Sequence, residues 1–477
     1  MRELYRKESP LNSFLGMGGG ASRFIMGMHS GIDYWIAEFG SSTLQDRGRK
    51  VKVDNAGNVY MGGYSNTYNS SNGNKVHTGF IVKYDKTGVL QWQRTLSQPG
   101  ITSGGVYLFD ISIDSSGNVY VCGTDEVRRN FVAKYNNSGV IQWQRTMNGN
   151  ALGDYYGNEL YGIGTDSSGN VYAAGKARNM AVNSTILIKY NSSGTLQFQR
   201  SVGVNWRHQI RDAAIDSSGN FYIVGYGGNR ANGSSFDGIF VAKVNSSGVV
   251  QWEQTLGGDT NTTNTETGEG ITVDSSGNIY VIGYGYTGTV ASRRMIIAKY
   301  NNSGVIQWQR TLNGTSFGEI GEDVAVDSSG NVYVCGFFDT NGTSVSRGND
   351  AIIAKYNSSG TLQWQRTLAN SQYGKIDEAY GITVDNKGTV YVTGMTETNV
   401  VSVFDVKSLA FIAKLPPDGS LTGTYGRWTY AASSFTSATS TYATASRAMA
   451  STALSLNAAT GAMTDSAGSF SSSTITL

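Results

Sequence analysis

Glu322-Asp-Val-Ala-Val-Asp-Ser-Ser-Gly-Asn-Val-Tyr-Val-Cys-Gly336 carries the letters that decide the fold. A run with β-branched residues meets the polar reversal Asp327-Ser-Ser-Gly330, and a second apolar run follows. That order reads as two antiparallel strands, A and B, joined by a tight turn. The same pattern, or a close variant, returns with leading aspartates at Asp54, Asp114, Asp166, Asp216, Asp274, Asp327 and Asp385. Their spacings are 60, 52, 50, 58, 53 and 58 residues, so one unit has been copied down most of the chain. The period is too long for ankyrin or tetratricopeptide units and suits a four-stranded propeller blade.

The rest of the sixth copy completes the blade. Ala351-Ile-Ile-Ala-Lys-Tyr356 is strand C, Asn357-Ser-Ser-Gly360 a second tight turn, and Thr361-Leu-Gln-Trp-Gln-Arg-Thr-Leu368 strand D. Trp364 reads as a wedge between blades, repeated as Trp92, Trp143, Trp252 and Trp308, with Phe198 in the third unit. The last unit has strands A to C (Tyr380–Val384, Thr389–Gly394, Ala410–Leu415), but Pro416-Pro-Asp-Gly419 follows and no strand D. A spare strand of that kind stands at the front, Asp33-Tyr-Trp-Ile-Ala-Glu-Phe39. Trp35 precedes Asp54 by 19 residues, as Trp308 precedes Asp327. The expected fold is therefore all-β, a seven-bladed propeller of four-stranded antiparallel blades whose last blade is completed by the N-terminal strand. The expected divisions are a docking segment over 1–32, the propeller over 33–419 and a Ser/Thr/Ala-rich tail over 420–477.

Composition narrows the function. Of 477 residues only 15% are charged, the net charge is +2, and there are 62 glycines, 28 tyrosines and 4 prolines. Such a balance argues against a general nucleic-acid binder. Cys122 and Cys335 fill one slot in non-adjacent units, so each reads as a buried apolar side chain. The charged start Met1–Pro10 is not that of a signal peptide, and no run approaches the ~18 apolar residues of a membrane span. His29, His77 and His208 stand in unrelated contexts, so neither a His-based triad nor a metal trio is expected, and no cofactor. One aspartate per turn is too few for a calcium cage and reads as a turn-closing residue. The expectation is a chain that is not an enzyme, although acids on the loops leave a paired-carboxylate glycosidase open.

The repeats resemble the bacterial β-propeller repeat family whose units read Gly-Ile-x-Val-Asp-x-x-Gly-Asn-Val-Tyr-Val-x-Gly followed by Phe-(Ile/Val)-Ala-Lys-Tyr. Gly381–Gly394 with Phe411–Lys414, and Gly270–Gly283, match it closely. The resemblance implies the fold and says little of activity, because propellers host many functions. The ends, Ser9–Gly20 and Tyr430–Phe435, resemble the flanks of structural proteins in tailed phages of aquatic bacteria.

In a blade of this order the A–B and C–D turns share one face and the B–C and D–A connections the other. The former are short and nearly identical, while the latter vary in length and letters. Specific recognition is thus expected on the variable face. Arg128, Arg129, Arg178, Arg230, Arg293, Arg294 and Arg347 put at least one arginine in the B–C loop of blades 2 to 6, with Trp206 and Tyr286 near them. Arginine with aromatic rings suits a bacterial surface polysaccharide. The competing reading is ordinary surface pairing with Asp154, Glu159, Asp259, Glu266, Glu269, Glu319 and Glu378 on the same side. The recurring lysines and arginines of strands C and D (Lys299, Arg310 and their equivalents) read as architectural ion pairs.

In the tail, Phe435, Tyr442, Met449, Leu456, Met463, Phe470 and Leu477 recur every seven residues. That interval marks one seam of a helix and suits oligomerisation or docking, with a short repetitive wrap against a partner as the rival. The expectation is a phage virion protein made without an export signal: a tail or fibre component recognising host glycan, without nucleic-acid binding or membrane insertion. Residues 1–32 and 420–477 would contact other virion proteins in a homo-oligomer. A structural decoration protein and a glycan-degrading enzyme are the alternatives.

Overall fold

A computed structural model describes residues 23–29, 32–40, 45–68, 75–97, 104–125, 129–148, 159–179, 182–202, 209–227, 238–257, 266–286, 293–313, 318–340, 348–370, 376–402, 405–425, 427–439, 444–447, 451–453, 457–460 and 464–467. Seven antiparallel blades close into a ring. Blade 6 shows the plan, with Glu319–Val326 (A), Val332–Asp339 (B), Asn349–Tyr356 (C) and Leu362–Asn370 (D) paired in order. The ring closes as the chain ends imply. Ile32–Phe39 pairs antiparallel with Asp405–Leu415, Trp35 opposite Lys414 and Phe39 opposite Ala410, and becomes strand D of blade 7. The apolar core lies between blades. Tyr120, Cys122 and Val132 of blade 2, for example, pack on Leu160, Ile163 and Ile186 of blade 3. Both cysteines are buried in such layers.

The repeat letters form a hydrogen-bond set. Asp327 Oδ1 accepts from the backbone N–H groups of Ser329 and Asn331, both at 2.9 Å. Its Oδ2 accepts from the Asn331 amide at 2.9 Å and the Tyr333 hydroxyl at 3.1 Å. One carboxylate therefore fixes turn, strand start and tyrosine together. The recurring cations are architectural, but not through ion pairs as expected. Arg310 Nε donates to Gly360 O of the next blade at 2.7 Å, and its guanidinium lies 5.7 Å from the Trp308 ring. Lys299 Nζ lies 5.2 Å from the Tyr280 ring. Trp308 itself donates to Ser358 O across the blade boundary at 3.1 Å. Gly360 has φ 76°, and a Cβ there would sit 2.7 Å from the Trp308 ring, so conformation and packing both require glycine.

The described residues of the tail are extended, not helical. Trp428–Ala432 adds to strand D of blade 6, Thr436–Thr439 to blade 5 and Thr444–Arg447 to blade 4. Ser451–Ala453, Asn457–Thr460 and Thr464–Ala467 continue to blades 3, 2 and 1. One heptad thus advances the chain by one blade. Seven residues reach at most about 25 Å, enough to run along one edge and step to the next. Odd spacing excludes one face of a single flat strand, but here each heptad meets a new sheet. Ser, Thr and Ala-rich letters with Gly461 give little helix propensity to oppose this. Blade 7 is covered from the other end, where Arg23–His29 pairs with Ile32–Phe39. Every blade gains a fifth strand, and the outer edges are protected. No helix among the described residues is long and apolar enough to cross a membrane.

Candidate functional site in the central channel

Every A strand slips register once. The slips fall between Gly48 and Lys50, Leu108 and Asp110, Leu160 and Gly162, and Ile210 and Asp212. They recur between Gly268 and Gly270, Gly321 and Asp323, and Ala379 and Gly381. Each is a β-bulge placed five residues before the turn aspartate, where it re-aims the side chains of the innermost strand. Two rings result. The bulged positions are Arg49, Phe109, Tyr161, Arg211, Glu269, Glu322 and Tyr380; the next are Lys50, Asp110, Gly162, Asp212, Gly270, Asp323 and Gly381.

In the second ring aspartate and glycine alternate, and each aspartate ties two blades. Asp110 accepts from the N–H of Ile111 at 2.7 Å and, across the boundary, of Ile163 at 2.8 Å. Asp212 does the same with Ala213 at 2.9 Å and Ile271 at 3.2 Å, and Asp323 reaches Ile382 at 3.0 Å. A Cβ at Gly381 would lie 2.8 Å from Arg49 O, so that position has no room for a side chain. Seven is odd, so strict alternation fails once, and Lys50 stands at the break. Its Nζ reaches across to Asp212 Oδ2 and Asp323 Oδ1, both at 2.9 Å, and forms a floor to the channel. Burial opposes charge on Lys50, but Asp212, Asp323 and Asp110 outweigh it and hold its pKa above the ordinary lysine value. Asp110 is pushed up to about 7 by burial, with Asp212 adding and Lys52 and Lys50 opposing.

The bulged ring divides the wall. On one side Arg49 lies 4.9 Å from the Tyr380 ring, and Arg211 Nε 3.8 Å from Glu269 Oε2 with 38% of the arginine side chain exposed. Glu322 lies among them. Burial, aided by Glu269 and Glu378 and opposed by Arg49 and Arg211, lifts it to about 8. On the other side runs an aromatic arc of half-buried rings. Tyr64 lies 5.1 Å from Tyr107, Tyr107 6.1 Å from Phe109 in a stacked pair, and Phe109 5.1 Å from Tyr161. His77 packs 4.2 Å from Tyr107.

The raised carboxyl of Glu322 fixes a pH dependence. Its pKa is higher folded than unfolded, so its contribution to stability is full in acid and lost as pH rises through about 8. Melting temperature should fall between mildly acidic and alkaline buffer, and Glu322→Gln should reduce that fall by roughly 2 °C. Calorimetry of both proteins at the two pH values checks it; parallel profiles would remove Glu322 as the titrating group.

The residues singled out from sequence are distributed differently. Arg129 donates to Asp125 through Nε at 2.6 Å and is engaged by that neighbour. Arg293 Nε donates to the Tyr286 hydroxyl at 3.0 Å, lies 5.3 Å from the Tyr284 ring and feels the Glu269 charge. Arg294 adjoins it on Arg293–Tyr300, and Arg178 lies opposite Asn183 in blade 3. Arg128, Trp206, Arg230 and Arg347 lie outside the described residues. Both channel rings escaped the sequence reading. Writing out the residues four and five places before each turn aspartate would have exposed them.

The β-propeller repeat family model (SBBP) matches residues 35–69 and 251–287. An uncharacterized WD repeat-containing protein, L264 of Acanthamoeba polyphaga mimivirus, is 23% identical over 446 residues, covering 76% of this chain and 30% of that protein. The chain thus spans under a third of that relative's length. A crystal structure of polysaccharide lyase Uly1 is similar at a TM-score of 0.43 and 13% identity, over 78% of this chain and 90% of the other. These matches support a propeller of repeats with a distant viral relative, a coarser statement than the phage-tail likeness of the ends. The expectation that the chain is not an enzyme is withdrawn beside that similar chain, a polysaccharide lyase, and the likeness assigns no activity to this one.

Proposed function

We propose that the mouth of the channel takes up an acidic polysaccharide. The observation that carries this reading is the aromatic arc Tyr107–Phe109–Tyr161, of which Phe109 and Tyr161 share one ring of the channel with Arg49 and Arg211. Sugar faces stack on aromatic rings, and a guanidinium pairs with carboxylate or sulfate. Arg293 with Tyr284 and Tyr286 adjoins this surface through Glu269, and Arg128, Arg178, Trp206, Arg230, Arg294 and Arg347 belong to the same proposal from the sequence. Affinity electrophoresis in gels holding polyuronate, sulfated polysaccharide or neutral dextran tests it. Retardation by an anionic polymer is expected, weakened about tenfold in the Tyr107→Ala/Phe109→Ala variant. No retardation by any of the polymers would end the proposal.

A second reading, cleavage of that polymer, is favoured by one observation. Glu322 is held protonated at neutral pH beside Glu269, Glu378 and two arginines, which suits a proton donor. Release of new chain ends by the purified protein, lost in Glu322→Gln with binding retained, is the expected result. Attachment to a virion through 1–32 and 420–477 belongs to the same proposal. It is supported by the viral relative and checked by immunogold labelling of purified particles.

A further inference from the structure

The turn letters hold through blades 2 to 6 and change where blade 7 meets blade 1. The A–B turns read Ser-Ser in the former, but Asn55-Ala56 and Asn386-Lys387 in the two flanking blades. The C–D turn of blade 1 reads Asp85-Lys-Thr-Gly88 in place of Asn-Ser-Ser-Gly or Asn-Asn-Ser-Gly. The changes have structural consequences. At the boundary of blades 1 and 2, Asn137 Oδ1 fills the gap, accepting from Lys83 and from the Tyr60 hydroxyl. Asn302 accepts from Lys243 in the same way between blades 4 and 5. At the closure Lys86 holds that place, exposed, and its carbonyl oxygen accepts from Lys414 Nζ at 2.9 Å and Trp35 Nε1 at 3.4 Å.

Thr389 makes a second change. In blades 1 to 6 an asparagine amide donates to Oδ2 of the turn aspartate, as Asn58 does to Asp54 at 2.8 Å and Asn331 to Asp327 at 2.9 Å. Threonine cannot reach so far, and Asp385 Oδ2 keeps the Tyr391 hydroxyl at 3.2 Å. An acceptor position occupied in every other blade is thereby opened. Between these residues lies a cavity of about 240 Å³. Lys414 is 5% exposed within its wall, and Lys86 and Lys387 stand at its rim. Asp54 and Asp385 complete a lining with cations and carboxylates around one small volume.

We propose that this closure cavity binds a single anionic sugar unit, its acid group facing Lys86, Lys387 and Lys414 and a hydroxyl donating to Asp385. Ammonium groups select an anion of either carboxylate or phosphate type, and carboxylates accept from sugar hydroxyls. The volume admits about one pyranose ring and not a polymer segment. The site lies on the turn face, away from the variable face, and does not rest on the channel reading.

The test titrates the full chain with glucuronate, glucose 6-phosphate and glucose, read by isothermal calorimetry and saturation-transfer NMR. At least one of the two acids should bind and glucose should not; which acid binds separates carboxylate from phosphate recognition. Lys86→Met/Lys387→Met removes two exposed charges without touching the core and should weaken the acid at least tenfold, while Lys387→Arg should keep it. Tyr107→Ala/Phe109→Ala, in the channel, should leave this affinity unchanged. Absence of binding by both acids, equal binding of glucose, or full affinity in the double lysine variant would each overturn the site.

Discussion

Replacing Trp428 by alanine should destabilise the protein by about 4 kcal/mol or more, the largest loss expected of any single change in the tail. Trp428 is fully buried, lies 4.9 Å from the Phe411 ring and donates through Nε1 to Glu38 Oε1 at 2.8 Å. Glu38 belongs to the N-terminal closing strand and is 1% exposed. Burial raises its pKa, and Arg427 and Trp428 oppose that rise. Arg427 adds Nε at 2.7 Å and a second contact at 2.6 Å. The closing strand and the start of the belt are thus joined at one buried carboxylate. Alanine would leave a cavity worth ~3–5 kcal/mol and strip a donor from a buried acceptor. Trp428→Phe should retain most of the packing and lose the hydrogen bond alone, a cost of about 1–3 kcal/mol. Equilibrium denaturation of the three proteins measures both steps. A loss under about 1 kcal/mol for the alanine variant would show that the clasp contributes little.

The ring and its closure were legible because they rest on local chemistry. Asp327 with Ser329, Asn331 and Tyr333 is a contact set within seven residues, so selection for the turn leaves a readable word in the chain. Trp35 could be placed because its 19-residue offset from Asp54 repeats that of Trp308 from Asp327. The tail's period was legible and its geometry was not. A seven-residue interval is common to a helical seam and to a chain stepping between sheets, and only the sheets themselves distinguish them. The channel stayed hidden for a different reason. Lys50, Asp212 and Asp323 are separated by 162 and 273 residues along the chain and meet only because the ring closes. Their side chains were legible one by one, but each reads as an ordinary polar residue at the start of a strand. The closure cavity likewise depends on Lys86 and Thr389, whose departures from the repeat mean nothing until blades 1 and 7 are neighbours.

Lys50→Met should be the most damaging substitution in the channel, and its cost should grow with pH. The ammonium sits between Asp212 and Asp323 at 2.9 Å from each and also offsets Asp110. Methionine fills a similar volume, so the loss is electrostatic: two buried carboxylates lose their cation, at ~3–5 kcal/mol. Burial already raises the Asp212 carboxyl above its ordinary range, and Lys50 opposes that rise. Without the lysine the folded variant must hold Asp212 protonated. A folded pKa raised above the unfolded one contributes stability below the unfolded value and loses it as pH rises through the folded value. The variant should therefore approach the parent in acid and separate from it through neutrality. Adding Asp212→Asn and Asp323→Asn keeps acceptors for the Ile271 and Ile382 N–H groups while removing both charges, and should restore most of the loss at pH 8. Denaturation midpoints of the parent, single and triple variants at pH 5 and pH 8 decide the matter. A single variant equally destabilised at both pH values would mean that Lys50 acts by packing, and the alternation of aspartate and glycine around the ring would need another explanation.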